Sequence, residues 1–204
     1  MSEPIYSVYI VHSFREAYYQ LSGEGKGQFW AKVEETGKTA GSTNHLVCRS
    51  QWANEHNIAW GLEEFPDMAS IQLSVQTHED NEHYRYLEAE TCLGTKISGK
   101  GIEAVGFPNP LYQLWLVKNI NNDPWESLSK AERDRIWEQM GASIDKNGGV
   151  EVLTCESTWS NEEYSAFGVL AWPSLEAQQA HSKELANIGW YRYIYTKIIL
   201  GTRL

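Results

Sequence analysis

Four residues stand out as acid–base and electrostatic candidates: Glu88 and Glu90 in one predicted strand, Arg49 in another, and Lys197 near the end of the chain. A carboxylate can take a proton from a bound molecule, and a neighbouring ammonium or guanidinium can hold the negative charge that develops. Their spacing is as informative as their type. Glu90 and Lys197 are 107 residues apart, and so are Arg49 and Glu156. The chain repeats itself at that interval, so each pair sets opposite charges at one structural position. Such pairs either compensate each other across an interface or shape an asymmetric pocket.

Four louder motifs favour structural roles. Gly23-Glu24-Gly25-Lys26-Gly27 lacks the spacing of a phosphate-binding loop, and its twin, Lys130 to Asp134, is ordinary helix, so it reads as a flexible helix entry. Trp52-x-Asn54-Glu55 and its twin Trp159-x-Asn161-Glu162 read as turn chemistry with an aromatic packed beside it. His78 and His83 flank three acidic residues, but a five-residue separation does not put two imidazoles on one helical face. That stretch reads as a solvated helix end. Tyr84-Arg85-Tyr86 recurs as Tyr191-Arg192-Tyr193, with the arginine expected to pin a helix end or a linker carboxylate.

The duplication positions these residues. Leu21 to Ile97 aligns without a gap on Leu128 to Leu204, with 20 of 77 positions identical. Unrelated chains of ordinary composition would share roughly one in seventeen. Cys48, Trp52, Asn54 and Glu55 return as Cys155, Trp159, Asn161 and Glu162, and Leu93-Gly94-Thr95 returns as Leu200-Gly201-Thr202. Each copy reads strand, helix, two strands joined by a tight turn, helix, strand. Helix entries are marked by Ser22, by Ser129 with Glu132 as a capping box, and by Pro66-Asp67 and Pro173-Ser174. The order βαββαβ is the ferredoxin-like split unit. The organisation expected is a repeat over 1–97, a linker over 98–110 rich in Gly and Pro, and a second repeat over 111–204.

Composition narrows the partners. A net charge of −10 disfavours nucleic acid and an anionic membrane surface, and no apolar run is long enough for a membrane-spanning helix. The start, Met1 to Ile5, lacks the pattern of a secretory signal. Three cysteines, with no disulfide framework, suit a reducing, cytoplasmic setting.

Two split units in one chain, each with a sheet face to cover, resemble the dimeric α/β-barrel superfamily as a tandem single-chain version. The resemblance implies an α+β fold in which two antiparallel sheets pack face to face as a pseudo-two-fold barrel. Alternation along the last strands turns Leu87, Ala89, Thr91 and Leu93, with Ile194, Thr196, Ile198 and Leu200, toward helices. Glu88, Glu90, Cys92, Tyr195, Lys197 and Ile199 then face inward. Ser7, Tyr9, Gln113 and Trp115 are expected to add lumen walls, joined by Trp60 and Glu156. In the manner of the superfamily's monooxygenases, cyclases and isomerases, the resemblance implies a small-molecule enzyme without a resident cofactor or metal, acting on an aromatic or polyketide-like substrate. Tyr9, Trp115 and Tyr195 would bind it, Glu88 or Glu90 would act as base, and Lys197 or Arg49 would stabilise an oxyanion. A non-catalytic module binding a hydrophobic ligand is the alternative, and a homodimer is compatible with either. Haem-degrading relatives hold iron through a histidine late in the second helix, which makes His78 and His83 the positions for a haem reading.

Overall fold

The computed structural model describes residues 3–118 and 123–204, so Met1 and Ser2 of the N-terminal reading lie outside the described residues. Each copy supplies four strands and two long helices: β1 (Ile5–Phe14), α1 (Gly23–Thr39), β2 (Thr43–Arg49), β3 (Ala59–Phe65), α2 (Met68–Asp80) and β4 (Leu87–Ser98), then β5 (Leu111–Lys118), α3 (Lys130–Lys146), β6 (Val150–Glu156), β7 (Tyr164–Trp172), α4 (Leu175–Asn187) and β8 (Thr196–Arg203). The helices begin where the side chains can cap them. Ser22, Asp67 and Ser174 accept from the backbone N–H three residues on, and Ser129 and Glu132 form a reciprocal capping box.

The eight strands close into one barrel in the order β1-β3-β2-β8-β5-β7-β6-β4. Its two seams join the copies, β2 to β8 and β4 to β6. The recurring letters of the sequence meet here. A Cβ on Gly201 would lie 2.8 Å from Cys48 Cβ and 2.9 Å from Trp60 Nε1. A Cβ on Gly94 would lie 2.8 Å from Cys155 Cβ and 2.7 Å from the Phe167 ring. Each glycine of one copy thus admits the cysteine and aromatic residue of the other. The three cysteines are buried free thiols in this core, and burial raises their pKa, that of Cys92 to about 11.

The space between the sheets is a packed core, not the open lumen expected above. Val8, Ile10, Leu46, Trp60, Leu114, Phe167, Val169 and Ile199 fill it, all fully buried. Eight strands leave an interior just wide enough for side chains to occupy. The last strands face as expected: Leu87 and Ala89 pack in the helix layer of the first copy, and Ile198 and Leu200 in that of the second. The first strands face the other way from expectation. Tyr6, Val8 and Ile10 point inward, while Tyr9 and Trp115 lie under the helices.

The linker covers part of one mouth. Lys100 N donates to Glu151 O and Gly101 N to Val152 O, sewing it along β6. Ile102, Val105 and Phe107 then pack onto the barrel core. No helix among the described residues is long and apolar enough to cross a membrane.

Seam packing makes a direct prediction. Gly201→Ala overpacks the core and should lower stability by about 1–3 kcal/mol, read from the urea midpoint. Gly27→Ala, with open space around its Cβ position in α1, should raise it by roughly 0.5–1 kcal/mol.

Candidate functional site

The opposite mouth holds the charged residues. Near the end of β1 the register against β4 shifts between Val11 and Ser13, so His12 is the extra residue of a bulge. Its Nδ1 lies 2.9 Å from Asn57 Oδ1 and its Nε2 lies 3.1 Å from Glu90 Oε2. Lys197 Nζ donates to the same Glu90 oxygen at 3.4 Å and stands 5.9 Å from the centre of the Tyr164 ring. As placed, both His12 nitrogens face oxygen acceptors, which an imidazolium satisfies; turning the Asn57 amide over lets a neutral ring do the same. The other carboxylate oxygen, Glu90 Oε1, is buried and has no hydrogen-bond partner among the described residues. The side chains of His12 and Glu90 are 28% exposed and that of Lys197 is 25% exposed, so the cluster is reachable from solvent.

The duplication explains the arrangement. Glu90 and Lys197 occupy equivalent positions and touch each other, which places them on the pseudo-two-fold axis. Asn57 and Tyr164 are also equivalent, and His12 answers to Lys118, which pairs with Glu163 at 3.2 Å. Tyr164 is buried, and burial followed by the nearby Glu90 charge raises its pKa. The mouth is therefore a ring of matched positions carrying different groups.

The remaining expected residues scatter. Glu88 is exposed and accepts from Ser13 Oγ at 3.3 Å, beside the cluster but outside it. Arg49 is exposed at the β2–β8 seam and donates to Gln51, whereas Glu156 lies at the β4–β6 seam and accepts from Thr158 N. This pair does not meet, because its members sit on opposite sides of the barrel. Trp60 is buried inside the barrel, Tyr195 is 53% exposed, and Tyr9 and Trp115 face the helices. His12, Asn57 and Tyr164 were not among the residues singled out from sequence. The trace they left is their matched places in the repeat, Asn57 answering to Tyr164 and His12 to Lys118.

Buried histidines form two further clusters under the helices. Glu82 takes a left-handed conformation, φ 55°, after α2 and folds the chain so that His83 turns inward. The expectation of a solvated helix end fails here: His83 is 2% exposed, with its ring 4.4 Å from that of His78. Tyr9 Oη lies 2.5 Å from His83 Nε2, and the Phe29 ring stacks on His83 at 5.3 Å. Burial, with a smaller effect from His78, pushes the His83 pKa down to about 3. In the second copy His181 Nδ1 lies 3.0 Å from Ser143 Oγ, its ring is tilted against Trp172, and burial pushes its pKa down to about 4. Asn54 and Asn161 accept from backbone N–H groups two residues on, which is turn chemistry, but the connection from Arg49 of β2 to Ala59 of β3 is longer than the tight turn expected, and Trp52 and Trp159 are exposed rather than packed. Arg85 pairs with Glu82, a local contact, and not with the linker. Among the described residues, no group of three or more His, Cys, Asp or Glu side chains is placed to hold a metal ion.

Comparison with known proteins agrees with the fold. A family of unknown function, DUF6616, matches residues 111–203, the span from β5 to β8. No curated protein gives a significant match. Among solved structures, a point variant of chlorite dismutase from Candidatus Nitrospira defluvii superposes with a TM-score of 0.78 at 12% identity, over 100% of this chain and 92% of that one. The same organism's chlorite dismutase in complex with imidazole gives 0.76 at 13% identity, over 98% and 91% of the two chains. A variant of it in complex with cyanide gives 0.77 at 12%, over 98% and 90%. At these identities the likeness establishes the fold alone: two ferredoxin-like repeats whose antiparallel sheets pack face to face as an α/β barrel.

The buried imidazoles tie stability to pH. Their folded pKa values lie below the ordinary 6.5, so the unfolded chain takes up protons first as pH falls. The stabilisation is complete above pH 6.5 and is lost on acidification toward about 4 for His181 and about 3 for His83. Each contributes a slope approaching about 1.4 kcal/mol per pH unit within its window. Urea midpoints at pH 7, 6 and 5 should show a shallower fall in His181→Gln than in the native chain.

Proposed function

We propose that the chain binds a small molecule at the barrel mouth formed by His12, Asn57, Glu90, Tyr164 and Lys197, and performs acid–base chemistry there without a resident cofactor. One observation carries this reading: Glu90 shares one oxygen between an imidazole and an ammonium, while the other is buried with no hydrogen-bond partner among the described residues. Leaving a buried acceptor unsatisfied costs about 1–3 kcal/mol, which a hydroxyl or amide donor on a ligand would recover. Glu90 is then the proton acceptor, Lys197 the cation beside the charge that develops, and His12, held by Asn57, the positioning residue. Tyr164 backs the site from the buried core, its ring 5.9 Å from the Lys197 ammonium, and an aromatic substrate of the kind expected from the superfamily would lie over the exposed side of that ammonium. The site moves from a lumen between the sheets to the rim of a packed barrel, so Tyr9, Trp115 and Trp60 have no contact role in it. Three buried free cysteines support a reducing, cytoplasmic setting.

A haem-binding reading is favoured by the fold likeness to chlorite dismutases, one of them in complex with cyanide and one with imidazole, both ligands of iron centres. The residues present do not fit that group at the histidines named from sequence. His83 is neutral, as a ligand must be, but its Nε2 faces the Tyr9 hydroxyl and Phe29 covers its ring. His78 packs against the same ring.

Catechol, a hydroxyaromatic probe, should shift the NMR signals of the His12 imidazole and the Tyr164 ring. Glu90→Gln should weaken its binding about tenfold, the scale of a hydrogen bond to a charged group. Shifts confined to other residues, or unchanged affinity in the folded variant, would sink the mouth assignment. Haem titration should give no shifted Soret band; a band abolished in His83→Ala would select the haem reading instead.

A further inference from the structure

The linker mouth contains two clefts that the duplication makes equivalent, and only one of them is filled. In the first copy the cleft is built on Tyr6 of β1 and Lys96 of β4. In the second it is built on Tyr112 of β5 and Arg203 of β8, the matching positions of the repeat. The linker crosses the first one, setting Gly101, Ile102 and Glu103 beside Tyr6 and Lys96 and leaving a space of about 90 Å³. Over the twin it passes only along one side. There a cleft of about 450 Å³ remains, walled by Ile102, Val105 and Phe107 and floored by Tyr112.

This open cleft has the size of a small-molecule site, with apolar walls from Ile102, Val105 and Phe107 and polar groups from Asn109, Thr202 and Arg203. The charged group among them is the guanidinium of Arg203, an exposed side chain whose positive charge acts on the nearby Tyr112 hydroxyl. No ion pair of Arg203 occurs among the described residues, in a chain whose net charge is −10. Tyr112 itself is 2% exposed and belongs to the barrel core, so the floor is rigid. What the linker presents to the filled twin is an apolar side chain followed by a carboxylate, Ile102 and Glu103, beside a lysine. The open cleft offers the complementary half of that arrangement, a cation and apolar walls; no Asp or Glu side chain is among its lining residues, and Leu204 borders it beside Arg203.

We propose that the cleft between the linker and β8 binds a small organic carboxylate with an apolar body, its carboxylate on Arg203 and its body against Ile102, Val105 and Phe107. One guanidinium suits a monoanion, because a planar carboxylate can accept two parallel N–H bonds from it. The site is separate from the Glu90 cluster, which occupies the other mouth.

2-Naphthoate titrated into the whole chain, followed by calorimetry, tests this. Saturable one-to-one binding is expected, weakened about tenfold or more in Arg203→Met and changed by less than about twofold in Lys96→Met, the matched cation of the filled cleft. The neutral analogue 2-naphthylmethanol should bind about tenfold more weakly than the acid. Asn109→Trp, an exposed linker change at the cleft rim, should block binding while circular dichroism stays native. Absence of naphthoate binding to the native chain overturns the proposal. So does equal affinity in a folded Arg203→Met, or equal affinity for acid and alcohol.

Discussion

Closure of the barrel depends on two steric interlocks, Gly201 against Cys48 with Trp60 and Gly94 against Cys155 with Phe167. At each, the final strand of one copy must approach the second and third strands of the other more closely than any side chain on the final strand would allow. The shared cysteines owe their place to volume, not reactivity: they are small, buried and held as thiols by desolvation. Once the seams are closed, the inter-sheet space is fixed at a width that core side chains fill, and polar chemistry is displaced to the two mouths. The Glu90 cluster and the linker cleft are both consequences of that displacement.

How much of this was legible in the sequence differs from strand to strand. On β4 and β8 the faces separated cleanly, because Glu90 and Lys197 alternate with Leu87, Ala89, Ile198 and Leu200. On β1 and β5 both faces are buried, one in the barrel and one under the helices, so the polar Ser7 and Gln113 mark a buried helix-side face and the facing of Tyr9 and Trp115 came out reversed. The duplication identified the Glu90–Lys197 pair, and the same logic misled at Arg49 and Glu156. Equivalent positions meet only on the pseudo-axis, and those two lie away from it. His12 escaped notice because a bulge, which periodicity does not reveal, brings it to the carboxylate.

The inward turn of His83 had a readable trace in the other copy. The residue matching Glu82 is Gly189, also left-handed at φ 76°, and a glycine just past a helix is the usual sign of such a turn. Comparing copies therefore corrects a reading of either one alone. It also separates scaffold from specialisation. Tyr-Arg-Tyr, the Asn-Glu turns and the Leu-Gly-Thr strands serve the shared frame, whereas the mouth residues and the buried histidines differ between halves.

The pair on the pseudo-axis has an evolutionary corollary. In an assembly of two identical chains, a residue on the axis confronts its own copy, so a glutamate there would face a glutamate and a lysine a lysine. Neither arrangement yields the juxtaposed acid and base seen in this barrel. Joining the two halves into one polypeptide releases that restriction, since each side of the axis can then mutate independently. The covalent linker is thus more than a tether: it is what permits an asymmetric centre within an otherwise symmetric scaffold.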